Sequence, residues 1–102
     1  MKIEWTEPAI GALQAIHDFI ALDQPFYAAR FADRLTVAAE RLVDFPKLGR
    51  KVPEARRGEA RELVFQGYRI IYRVRPDRVQ VLNVLHGSRD LSRMKPKPWN
   101  TG

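Results

Sequence analysis

Apolar positions along the chain follow two different periods. Ile10, Leu13, Ile16 and Ile20 recur at the spacing of one helical face. Thr6 ahead of them can cap, and Glu7 and Pro8 suit a first turn, where proline's missing N–H costs nothing. The pattern predicts a helix from Glu7 to about Leu22. Asp23-Gln24-Pro25 interrupts it, with Asp23 as the expected cap of the next helix. Ala28, Phe31, Leu35, Ala38 and Leu42 make a second stripe, and Arg30, Asp33, Arg34, Glu40 and Arg41 take the opposite side. This predicts a helix from about Pro25 to Val43. The short link implies an antiparallel hairpin, and the many alanines, Ala12, Ala15, Ala28 and Ala32 among them, let its two arms approach closely.

From Ala60 onward the period shortens to two. Tyr68, Ile70, Tyr72 and Val74 alternate with positions that include Arg69, Arg73 and Arg75, which reads as a half-buried strand with a basic outer face. Leu63-Val64-Phe65 before Gln66-Gly67, and Val79, Val81, Leu82, Val84 and Leu85 after Pro76-Asp77, complete a three-stranded meander. Pro-Asp is not the pair a two-residue hairpin prefers, so that loop is expected to be slightly longer. Ile3-Glu4-Trp5 is a further short strand. Phe45-Pro46 ends the second helix, because a residue before proline avoids α conformation. A loop follows, with Leu48 and Val52 as its expected core anchors, and residues 55–59 are expected to be exposed. Gly87-Ser88-Arg89-Asp90-Leu91 is expected to open a helical turn capped by Ser88, and 94–102 is read as an irregular tail carrying Trp99.

The expected class is therefore α+β. An N-terminal strand and an antiparallel helical hairpin pack on a small, mainly antiparallel sheet, all in one domain spanning residues 1–102.

Charge adds a function class. Residues 1–45 carry net −3 and residues 46–102 net +9, which together give the chain's +6. Such asymmetry points to a polyanionic partner for the C-terminal half, either nucleic acid or an acidic protein segment. A merely solvated basic face is the alternative. With no cysteine and only His17 and His86, which are far apart in the chain, no metal site and no cofactor is expected. No apolar run is long enough to span a bilayer, and the start of the chain has no signal-peptide core, so a cytoplasmic protein is expected.

Trp5 before a helix, Asp23-x-Pro25, Phe45-Pro46-x-Leu48-Gly49-Arg50, Arg61-Glu62-Leu63, Tyr68-Arg69-Ile70-Ile71-Tyr72-Arg73-Val74 and His86-Gly87-x-Arg89-Asp90 follow one another along nearly the whole chain. In order and spacing they resemble the RelE/ParE superfamily of type II toxin–antitoxin toxins. The resemblance implies a helical hairpin on an antiparallel sheet, a cognate ParD-like antitoxin bound in a hetero-oligomer, and a role of the plasmid-stabilisation kind. It offers two activities. ParE-like members poison DNA gyrase; RelE-like members cut mRNA on the ribosome.

Site chemistry discriminates between them. A metal-free ribonuclease needs a base for the 2′-OH, cations for the developing phosphate charge and a proton source for the leaving oxygen. Arg69 and Arg89 match the arginines of such a site, and His86 is the base to consider. By the resemblance, RelE-like members carry spaced lysines where Ala60, Arg61 and Glu62 stand here, and a tyrosine near the C-terminus where this chain has none after Tyr72. The cationic half is present and the proton-transfer half is largely missing. The reading is therefore a ParE-like gyrase inhibitor with no catalytic residue identified, and with Arg61, Arg69, Arg73 and Arg89 as its target- or antitoxin-binding side chains. The alternative is a ribosome-dependent endonuclease using Arg69, His86 and Arg89.

Overall fold

A computed structural model of the chain describes residues 1–55 and 58–100. Strand β1 (Lys2–Trp5) leads into helix α1 (Glu7–Ala21) and helix α2 (Pro25–Glu40), and a 3-10 turn at Arg41–Val43 extends the second helix. Strand β2 (Arg50–Lys51), a 3-10 turn at Pro53–Ala55, and the meander β3 (Arg61–Phe65), β4 (Tyr68–Val74) and β5 (Arg78–His86) follow. The five strands lie in the order β1-β5-β4-β3-β2, with β1 parallel to β5 and the remaining pairs antiparallel.

Local chemistry accounts for the punctuation. Thr6 caps α1, accepting from the Ala9 N–H at 3.4 Å, and its hydroxyl donates to the Val81 carbonyl at 2.8 Å, tying the helix start to β5. Gln24, not the expected Asp23, occupies the cap position of α2, and it makes no side-chain cap bond. The helix starts at Pro25, as expected, and proline there removes one of the N–H groups a cap would serve. Gln66 and Gly67 both adopt positive φ (45° and 85°), which gives the β3–β4 turn the twist a two-residue hairpin requires. The β4–β5 loop occupies 75–77, a little longer, as expected, and the Arg75 N–H donates to the Arg78 carbonyl at 2.8 Å.

The two helices cover one face of the sheet. Phe31, Leu35 and Ala39 of α2 and Ala9 of α1 close over Ile70, Val81 and Val84. The other face is not the open basic surface its alternation predicts. Val52, Ala60 and Leu91 pack there on Ile71, Leu82 and Leu85, with Met94 and Trp99 alongside. A β-bulge explains how one strand feeds both cores. Ile71 pairs with Asn83 but Tyr72 pairs with Val81, so Leu82 is passed over and side-chain parity reverses. Val81 and Val84 then share the helix face while Leu82 and Leu85 share the other.

Three further expectations are corrected. Leu48 is exposed, and of the two loop anchors only Val52 is buried. Asp90, not Ser88, caps the turn at Leu91–Arg93, accepting from the Ser92 N–H at 2.9 Å. The tail contains a 3-10 turn at Pro98–Asn100, and Leu91 and Pro98 are buried, because the second sheet face needs a cover. Of residues 55–59, Ala55 and Gly58 are half-buried and Glu59 is exposed, whereas Arg56 and Arg57 lie outside the described residues.

Candidate interaction surface

The fold sends the four arginines to different places. Arg69 and Arg73 lie four residues apart on β4 and emerge on the second face, where the cover buries them to 7% and 9% exposure. Arg69 is enclosed by carboxylates. Its Nε donates to Glu62, its two terminal nitrogens grip Glu54 at 3.0 and 2.9 Å, and one of these also reaches the Arg89 carbonyl at 3.2 Å. Glu62 is itself buried, and its other oxygen accepts from Arg50 at 2.6 Å. The Glu54 carboxylate also accepts from the Leu91 N–H at 3.3 Å. The guanidinium hydrogen bonds hold the Glu54 carboxyl well below its usual range, at about 2, and Glu54 in turn raises the pKa of Arg69.

Arg73 donates to the Gln80 side chain at 2.7 Å and to the Trp99 carbonyl at 3.2 Å, and burial lowers its pKa. Arg61 is half-buried at the other end of the sheet, where it donates to the Gly49 carbonyl at 2.8 Å. Arg89 is exposed beyond the end of β5.

Arg89 and His86 border a groove of about 370 Å³ whose apolar wall includes Ala12, Ile16 and Phe19 of α1. The parity reversal places His86 opposite Tyr68, with ring centroids 5.5 Å apart, edge to face. Its Nδ1 lies 2.7 Å from the Ser88 hydroxyl. Phe19 of that wall is 73% exposed, and Leu22 and Phe26 at the hairpin tip are 80% and 85% exposed. Helix α1 is apolar nearly all round, yet Ala9 is its only buried residue. A helix of that composition normally has partners on more than one side. The expected site residues therefore separate into a pair drawn inside, Arg69 and Arg73, and a pair at opposite ends of the sheet, Arg61 and Arg89. Glu54 is a partner that sequence reasoning missed. Its role depends on a contact fifteen residues away, which no local pattern encodes.

Among the described residues no three His, Cys, Asp or Glu side chains converge as a metal site would need. No helix among them is long and apolar enough to cross a membrane.

The architecture is a two-helix hairpin on a five-stranded, mostly antiparallel sheet, an α+β fold. Its fold matches a chain titled as the chromosomal ParDE toxin–antitoxin system from P. aeruginosa, with a TM-score of 0.71 and 24% identity, covering 84% of this chain and 95% of that one. Residues 3–91 match the family described as the ParE toxin of the type II toxin–antitoxin system parDE, and the chain belongs to that family. It is similar to Toxin RelE2 of Caulobacter vibrioides, at 35% identity over 89 residues, covering 86% of this chain and 97% of that protein. It is also 37% identical over 87 residues to the putative toxin Y4kP of Sinorhizobium fredii, covering 83% of this chain and 86% of that protein. The protein is thus a toxin of a type II toxin–antitoxin module.

Proposed function

We propose that the free toxin acts in the cytoplasm by inhibiting DNA gyrase, and that a cognate ParD-like antitoxin neutralises it in a hetero-oligomer. One observation carries the choice of target. Arg69, the cation a ribonuclease site would place on the scissile phosphate, is enclosed by the carboxylates of Glu54 and Glu62. A phosphodiester approaching it would have to displace one carboxylate and lie beside the other, and like charges at that range are strongly unfavourable. His86 and Arg89 remain accessible, but the positive partner a cleavage site needs between them and the substrate is already neutralised. A protein-binding toxin needs no such cation. It needs exposed apolar and basic side chains on a firm scaffold, as at the hairpin tip and the groove ending at Arg89.

The deciding experiment pairs two assays on purified toxin. The expected result is inhibition of gyrase supercoiling, or gyrase-dependent DNA breaks, with intact mRNA on translating ribosomes by primer extension. The name of the relative Toxin RelE2 keeps mRNA cleavage as the second reading. Discrete ribosome-dependent cuts by wild-type toxin that vanish in Arg89→Ala, whose side chain is exposed, would establish that reading and reject gyrase as the target.

A further inference from the structure

We infer that the groove at the β2 end of the sheet docks an extended acidic segment of the antitoxin, anchored by one large apolar side chain. This rests on the toxin–antitoxin reading above and adds the place and the chemistry of contact. The groove has a volume of about 830 Å³, and Phe45, Leu48, Lys47, Lys51 and Arg61 line it. Phe45 is 60% exposed and Leu48 43% exposed.

These apolar side chains are held in water by design of the loop beneath them. The buried Tyr72 hydroxyl accepts from the Gly49 N–H at 2.9 Å and donates to the Pro46 carbonyl at 2.7 Å. Arg61 holds the Gly49 carbonyl, and the Leu48 N–H donates to the Phe45 carbonyl at 3.0 Å. A Cβ on Gly49 would press into the Glu62 carbonyl oxygen and lie 2.7 Å from the Tyr72 ring, so the loop is seated without slack. An apolar surface fixed in advance loses little conformational freedom on binding, which is what makes such a surface an effective anchor site.

Charge and backbone select the occupant. Three cations line the groove, Lys47, Lys51 and Arg61, against two carboxylates, Asp44 and Glu59. A second copy of this chain would bring another +6 toward these lysines, so self-association is disfavoured and an acidic partner favoured. Among the described residues the sheet ends at β2, which pairs with Arg61 and Glu62, so β3 runs on from Leu63 to Phe65 with no described strand on that side. Val64 there is 59% exposed. An extended partner can add its backbone along that edge while its apolar side chain enters the groove and its carboxylates meet the lysines.

The test measures binding of the cognate antitoxin to wild type, Phe45→Ser/Leu48→Ser, Lys47→Glu/Lys51→Glu and, as comparison, Phe19→Ser/Leu22→Ser at the hairpin tip. All of these side chains are exposed, and thermal melting checks that each variant folds. Each groove variant is expected to weaken binding by about tenfold or more, and amide exchange at Leu63–Phe65 is expected to slow in the wild-type complex. Unchanged affinity in both groove variants overturns the inference while leaving the toxin–antitoxin reading standing. Wild-type toxin that binds no antitoxin overturns both. Self-association that depends on Phe45 and Leu48 assigns the groove to a second copy and also overturns it.

Discussion

Arg69 on β4 holds both carboxylate oxygens of Glu54, a residue of the turn at Pro53–Ala55, at 3.0 and 2.9 Å. The pair fastens the turn beside β2 to the sheet. Through the Arg89 carbonyl and the Leu91 N–H it also fastens the segment that leaves β5. Planar bidentate pairs of this kind are stronger and more directional than single charge contacts.

The first consequence is a pH dependence. The Glu54 carboxyl is depressed from its ordinary 4.5 to about 2 in the folded protein. Its contribution is therefore fully present above pH 4.5 and is lost as pH falls through about 2. Such a depression corresponds to at most about 3 kcal/mol. Urea unfolding of wild type and Glu54→Gln should show a stability gap at pH 7 that narrows steadily below pH 4.5. A gap that stays constant down to pH 2.5 would mean that the pair does not bind Glu54 in its charged form.

Glu62 lies at the bottom of the same cluster with 1% exposure. Arg69→Met removes the buried cation and leaves Glu62 with Arg50 alone, a loss expected to cost about 3–5 kcal/mol. Arg69→Met with Glu62→Leu takes away both buried charges and should recover most of that loss. Equal destabilisation in the single and double variants, by chemical denaturation, would show that the ion pair is not the source of the cost.

Tyr72 is fully buried, and burial raises its pKa, yet its hydroxyl is used twice by the loop 46–49. Tyr72→Phe keeps the ring in place and leaves the Gly49 N–H and the Pro46 carbonyl without their partner. The expected cost is about 1–3 kcal/mol, with faster amide exchange confined to that loop. Gly49→Ala should destabilise by a similar amount, because the added methyl has no space. Wild-type exchange rates in Tyr72→Phe would show that the hydroxyl does not hold the loop.

Phe31 packs between the helices and the sheet, with its ring centroid 5.8 Å from Phe65 and 5.4 Å from Tyr68. Phe31→Ala should cost about 3–5 kcal/mol, a large share of the stability of a domain this size. The variant should be unfolded alone or recovered only with its antitoxin. A melting temperature equal to wild type would place this residue outside the core.

Much of this fold was legible because periodicity is a local property. The stripes Ala28, Phe31, Leu35 and Tyr68, Ile70, Tyr72 each point to one buried face, and both are buried or half-buried on that face. What periodicity cannot give is the cover on the opposite face. Arg69 and Arg73 alternate as solvent-facing residues would, yet the tail and the turn at Pro53–Ala55 enclose them. One signal was available: the adjacent pairs Val81-Leu82 and Val84-Leu85 violate strict alternation, as a strand buried on both faces and broken by a bulge must. The site residues were less legible still. Arg69 matches a motif as a residue type, but its availability is decided by Glu54 and Glu62, whose positions only the folded chain fixes.

The parallel pairing of β1 with β5 also governs when a ribosome can deliver this toxin. Lys2 to Trp5 wait for Arg78 to Val81, so the opening strand of a 102-residue chain has no neighbour until more than three quarters of it has been made. Thr6 likewise waits for the Val81 carbonyl. A chain that stops before Arg78 has neither a finished core nor the segment bearing Arg89. The edge strand β1 and the cap at Thr6 are thus completed only by the strand that comes last in the sheet's order of synthesis.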